Sequence, residues 1–284
     1  MPANEITFGF PCEWEAFLSR HSRFAEKLQL LTQTFQRVFI RKVETSDPAD
    51  RVVFYLGRLS VEDFMEILLL CGNGYGIGGM KLLRGLYEKA VTLGYIAKKP
   101  DKAQKFLEYH YVHLGKQFNH ANLVFPMHEH LTALQIEEIQ SRYKKAKDNY
   151  QEVVCEKCGT TRIRFSWSEL DLLSMAREAG LHKLYLQCCY DPTLQAHATV
   201  CSLTARMKLR DNGQVTFDDG AQRQKADLAL NSAHKIILHL LGVVNEYFKM
   251  GLENEIQERL ADFMDIWEEG PNLQADCQED KERS

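Results

Sequence analysis

Hydrophobic positions recur along this chain at the three-to-four-residue spacing of helices that bury one face. Trp14, Phe17, Leu18, Phe24, Leu28, Leu31, Phe35 and Val38 fall between charged residues at spacings of three, four and seven. They predict a helical run over about 13–43, which Ser46, Asp47 and Pro48 break. A second helix is expected to begin at Ser60, with Ser60 as its cap, Asp63 three residues on and Leu59 packing on Phe64 as a staple. It reaches Cys71 and enters the stretch Gly72-Asn73-Gly74-Tyr75-Gly76-Ile77-Gly78-Gly79. A third helix, about 80–98, stops at Lys98, Lys99 and Pro100. Asp101 is placed to cap a fourth. After the Phe125-Pro126 break, Thr132 and Gln135 form a capping box for a charged helix running to about Val153.

The period then changes. Between Cys155 and Trp167, the residues Thr161, Ile163, Phe165 and Trp167 alternate with Arg162, Arg164 and Ser166, the two-residue repeat of a strand. Helical spacing returns when Ser168 and Asp171 open a short helix that Gly180 closes. Residues 185–190 read as helix, Asp191-Pro192 as a break, about 193–208 as helix again and 212–220 as loop. A last long helix, about 221–250, carries Leu230, Ile237, Leu241, Val244 and Phe248 on one stripe, and 253–267 adds another. The tail from Gly270 to Ser284 is polar and acidic, and disorder is expected there. The expected fold class is all-α: one helical-bundle domain over 10–268 with a small Cys-containing, strand-like insertion near 155–167.

Composition narrows the partners. The 284 residues are 45% hydrophobic and 26% charged, ordinary for a globular chain with a core. A formal net charge of -4 argues against a dominant basic surface for non-specific nucleic-acid binding, although a local basic patch stays open and with it nucleic acid as a partner. No stretch approaches the ~18 apolar residues of a membrane span, and the N-terminal residues lack the basic start and apolar run of a signal peptide. A cytoplasmic protein with no membrane partner is expected, acting on a protein partner or as a homo-oligomer. The eight cysteines then read as thiols or metal ligands.

Six patterns carry candidate chemistry. Gly74-x-Gly76-x-x-Gly79 formally matches a dinucleotide fingerprint, but the run before it reads as helix, so close helix approach explains these glycines better. Arg84 and Glu88 are four apart on a helix apolar around much of its circumference; they form either a solvated stripe with Lys81 and Thr92 or a charged pair held for use. His197 lies in register with Leu194 and Cys201, as a core histidine or as a general base if a partner reaches it. Cys155-x-x-Cys158-Gly159 looks like half of a zinc knuckle, with a redox pair or plain thiols as alternatives, and zinc is the cofactor it would bring. His110 with His113, and the spacing Arg177-x4-His182, fit loose metal and ribonuclease patterns that chance also produces.

With these residues in view, the chain resembles the bacterial domain-of-unknown-function family DUF5677. The resemblance rests on Leu82-Leu83-Arg84-Gly85-Leu86-Tyr87-Glu88 and on a run from Trp167 through Met175-Ala176-Arg177-Glu178-Ala179-Gly180-Leu181, Tyr185 and Tyr190 to His197, across about 50–250. It implies an all-helical protein and a shared site of Arg84, Glu88 and His197. Through relatives similar to abortive-infection and HEPN-like helical proteins, it also implies a setting in bacterial stress or phage defence. The expectation is a partner- or ligand-binding helical protein. Two alternatives are a ribonuclease or nucleotide hydrolase, with His197 as acid/base, Glu88 orienting it and Arg84 stabilising phosphate charge, and a zinc-stabilised interaction module.

Overall fold

The computed structural model describes residues 9–10, 12–40 and 47–268. Its helices are α1 (Glu13–Arg20), α2 (Ser22–Phe39), α3 (Pro48–Gly72), α4 (Gly76–Lys98), α5 (Ala103–Val124) and α6 (Ala133–Asp148). The hairpin strands β1 (Gln151–Cys155) and β2 (Thr160–Ile163) follow. Then come α7 (Leu172–Ala179), α8 (Asp191–Ala196), α9 (Val200–Thr204), the strands β3 (Met207–Leu209) and β4 (Val215–Phe217), α10 (Arg223–Phe248) and α11 (Glu253–Glu268). The protein is therefore mostly helical, as the periodicity predicts, with a hairpin carrying Cys155 and Cys158. The acidic tail 270–284 and Ser46 lie outside the described residues.

The chain divides into two compact units. One takes in the described residues of Met1–Thr45, Arg51–Lys98 and Leu172–Ser284; the other takes in the described residues of Ser46–Asp50 and Lys99–Asp171. In the first unit α4 and α10 form the centre. Leu83, Leu86, Tyr87, Ala90, Val91, Leu93 and Ile96 of α4 and Ala229, Leu230, Ala233, Ile236, Ile237, Leu241 and Val244 of α10 are all buried. Such an apolar set, removed from water at roughly 25 cal/mol per Å², is the main stabilising term. In the second unit α5 packs on α6, and Tyr109 and Tyr150 reach across it to donate to the carbonyls of Arg164 and Lys105 at 2.7 and 2.6 Å.

Several local expectations are corrected. Ser60 does not cap a helix: α3 runs through it, and its buried hydroxyl donates to the Leu56 carbonyl at 2.8 Å. Asp63 instead pairs with Lys89 of α4 at 2.6 Å, and Leu59 stays exposed. The first helical run is divided at His21. Asp191-Pro192 does not break the chain, because proline is accepted in the first turn of α8. The 193–208 segment is not one helix but the end of α8 and the whole of the short α9, followed by the start of β3. The β3–β4 hairpin replaces part of the expected 212–220 loop; Asn212-Gly213 between Leu209 and Val215 is the turn signal that marks it. The Thr132–Gln135 capping box forms as expected.

Candidate functional site

The glycine-rich junction builds the wall of a groove. Gly74 adopts φ +82°, a conformation glycine reaches without strain, and turns the chain from α3 into α4. Gly76 then lies against the start of α10, where a Cβ would overlap the Gln222 carbonyl and the Ala226 N–H. The contact is fixed by two hydrogen bonds: Gln222 N–H donates to the Gly74 carbonyl at 2.9 Å, and Ile77 N–H donates to Gln222 Oε1 at 3.1 Å. These glycines serve close backbone approach, and α3 ahead of them is helical, so no dinucleotide fold is present there.

Beside this junction opens a groove of about 530 Å³, lined among others by Tyr75, Lys81, Gln195, His197, Arg206 and Gln222. Among the described residues no acidic side chain lines it. Arg206 is held in place by donating to the Asp218 and Gly220 carbonyls at 2.7 and 3.0 Å, and its guanidinium stacks over Phe217. Lys81 and His197 are exposed, and among the described residues neither side chain has a hydrogen-bond or ion-pair partner. His197 follows the last turn of α8 and is not the core residue its register with Leu194 predicts, because the helix ends at Ala196. Gln195 Oε1 is buried without a donor.

Arg84 and Glu88 meet as an i,i+4 pair on α4, Arg84 Nε donating to Glu88 Oε1 at 2.9 Å. Their side chains are 33% and 42% exposed, so neither ion is stranded in the core. They sit beside Cys189 in the π-helical turn Leu186–Tyr190; burial pushes the Cys189 thiol up, Glu88 adds to that and Arg84 opposes it. Neighbouring Cys188 is raised to about 12, chiefly by burial, and is an inert thiol at neutral pH. Of the three residues in the expected triad, the structure joins Arg84 with Glu88. His197 lines the groove with Lys81, which lies one turn before Arg84 on α4, and neither Arg84 nor Glu88 is among its lining residues.

A charged cluster that spacing did not reveal lies at the base of α1. Glu13 and Arg20, each 3% exposed, approach to 3.7 Å. Arg20 and His21 both reach Asp227 of α10, at 3.6 and 2.7 Å, and Arg223 donates to both Glu13 carboxylate oxygens. The partners are about 200 residues apart in sequence, and only a sequence signal of buried charge on α1 could have pointed to them.

Cys155 and Cys158 lie on the β1–β2 hairpin, Cys155 facing Thr160 across the ladder and Cys158 in the turn. Hydrogen bonds from Thr160 and Cys155 stabilise the Cys158 thiolate and bring its pKa down to about 7. Among the described residues no group of three or more His, Cys, Asp or Glu side chains is placed to hold a metal ion. His110 and His113 do not change that, and Gly180, at φ +81°, ends α7 between Arg177 and His182. No helix among the described residues is long and apolar enough to cross a membrane.

The model of a family of unknown function, DUF5677, matches residues 50–215, more than half of the chain, and the protein belongs to that family. No curated protein and no solved structure matches the chain.

Proposed function

We propose that this DUF5677 protein binds a small anionic ligand, most simply a phosphate-bearing metabolite or nucleotide, in the groove beside the α3–α4 junction. One observation carries the reading: Lys81 and His197 face the same groove without a protein partner among the described residues, and Arg206 stands fixed beside them. Lys81 and Arg206, with no carboxylate lining the groove among the described residues, create a positive potential that an anion would neutralise, and His197 adds a ring nitrogen for hydrogen bonding. The volume, about 530 Å³, suits a nucleotide-sized molecule. Tyr75, exposed on one wall, offers a ring for stacking, and the buried acceptor Gln195 Oε1 favours a ligand that also carries a hydroxyl or amino donor.

Binding is preferred to hydrolysis because Arg84 and Glu88 are not among the residues that line the groove with His197. The hydrolase reading rests on Glu88 orienting that histidine, and Glu88 is not among the residues that line its groove. A stress or phage-defence role rests on resemblance alone. Calorimetric titration with inorganic pyrophosphate, AMP, ADP and ATP, with adenosine as the uncharged control, tests the reading. At least one phosphorylated compound is expected to bind, and Lys81→Ala is expected to weaken it about 10-fold or more, the loss of one charge-assisted contact. Absence of binding by every phosphorylated compound, or equal binding by wild type, Lys81→Ala and His197→Ala, would overturn it.

A further inference from the structure

The β1–β2 hairpin has a geometry that the groove does not use. Cys155 ends β1, a bulge between Val153 and Cys155 shifts the register, and the four residues Glu156–Gly159 turn the chain into β2. Gly159 takes φ +67°, so the turn closes tightly and Cys155 and Cys158 come together within side-chain hydrogen-bonding reach. The Thr160 hydroxyl lies 2.9 Å from Cys158 Sγ, and the Thr160 N–H is directed to the same sulfur. Both cysteines are free, and Cys158 is exposed. Two sulfurs converging at a tight Cys-x-x-Cys-Gly turn, with backbone and hydroxyl donors aimed at one of them, provide half of a tetrahedral thiolate site. Zinc in a structural site needs four ligands, and the described residues offer no third His, Cys, Asp or Glu to this pair.

We propose that Cys155 and Cys158 bind zinc jointly with the same two cysteines of a second copy of this chain, giving one four-sulfur site per dimer. A two-fold axis through the metal meets the geometric requirement, because the interface it generates pairs each turn with itself. In that arrangement Glu156 and Lys157, adjacent and exposed in the turn, have complementary charges to offer each other across the axis. Val153 and Val154, 61% and 54% exposed on the same hairpin, supply apolar surface for the second copy to cover. The step balances without electron transfer: one Zn²⁺ replaces four thiol protons, and the four protons go to solvent.

The test uses the full chain, purified under reducing conditions, with metal analysis and sedimentation run together. The expected result is about half a zinc ion per chain, in a dimer that a strong chelator converts to monomer and added zinc restores. Replacement by cobalt is expected to give the visible absorption of a tetrahedral tetrathiolate centre. The double variant Cys155→Ser/Cys158→Ser is expected to lose both metal and dimer while keeping the helical circular dichroism. Cys277→Ser is expected to keep both; loss of zinc in that variant would mean that the tail cysteine completes the site within one chain, which overturns the proposal. It is also overturned by one zinc per monomer, by zinc-free protein that zinc does not dimerise, or by a reversible Cys155–Cys158 disulfide in place of bound metal.

Discussion

His21 and Asp227 lie 206 residues apart in sequence, yet the histidine Nε2 meets the Asp227 carboxylate at 2.7 Å. Arg20, beside His21, approaches the same carboxylate, so Asp227 anchors the α1–α2 corner to α10 with two contacts at once. Removing one member of a buried charge cluster leaves the others unpaired in a poorly solvated site. Asp227→Ala is therefore expected to destabilise the protein by about 3 kcal/mol, read from urea unfolding. A loss below about 1 kcal/mol would mean that water already satisfies the cluster.

Two glycines on α4 predict opposite outcomes. Gly76 touches the backbone of α10, which cannot move aside as a side chain can. Gly76→Ala is expected to cost about 2 kcal/mol or more through overpacking. Among the described residues Gly85 has only the flexible Lys89 amine near the position of an added Cβ, at 3.6 Å. Gly85→Ala is expected to stabilise by about 0.5–1 kcal/mol, because alanine loses less backbone entropy in a helix. Thermal or urea melts of the two variants check both signs.

Arg84 and Glu88 predict a small effect on stability. Each is a third or more exposed, and an exposed i,i+4 pair contributes only about 0.3–0.5 kcal/mol. Arg84→Ala and Glu88→Gln are each expected to change unfolding stability by less than about 1 kcal/mol. A larger loss would show that the pair supports the packing of the π-helical turn on α4.

His234 makes stability depend on pH. Its ring is 3% exposed between Phe24, Phe64 and Phe263, and Trp267 Nε1–H donates to its Nδ1 at 3.2 Å, which requires that nitrogen to be unprotonated. Burial lowers its pKa to about 4, with Asp262 opposing the shift. The folded value lies below the ordinary histidine value near 6.5, so the unfolded chain takes up the proton first. The stabilisation is present above pH ~6.5 and is lost as pH falls toward about 4. Wild type is expected to lose about 2 kcal/mol from this residue between pH 7 and pH 5. His234→Gln, which keeps an acceptor for Trp267, is expected to flatten that dependence; an unchanged pH profile would rule out His234 as its source.

Much of the helical framework was legible because a helix that buries one face repeats every three to four residues whatever it packs against. The α4 and α10 stripes, the Thr132 capping box and the Gly180 stop are such local signals. Ser60 misled because a serine followed by an acid three residues on has the same sequence form at a cap and inside a helix. The hydroxyl settles on the Leu56 carbonyl once α3 is held by its neighbours. The β3–β4 hairpin was hidden by its short, exposed strands, although Asn212-Gly213 was there to be read.

By itself the sequence determined the mostly helical class, the odd period of the cysteine hairpin, the family and the i,i+4 pairing of Arg84 with Glu88, since all of these follow from spacing along the chain. Tertiary structure alone decided that His197 faces a groove with Lys81 and Arg206, and that Asp227 receives Arg20 and His21. Lys81 and His197, like Asp227 and its two partners, lie more than a hundred positions apart, and backbone spacing carries no record of which distant helix will supply the neighbouring charge.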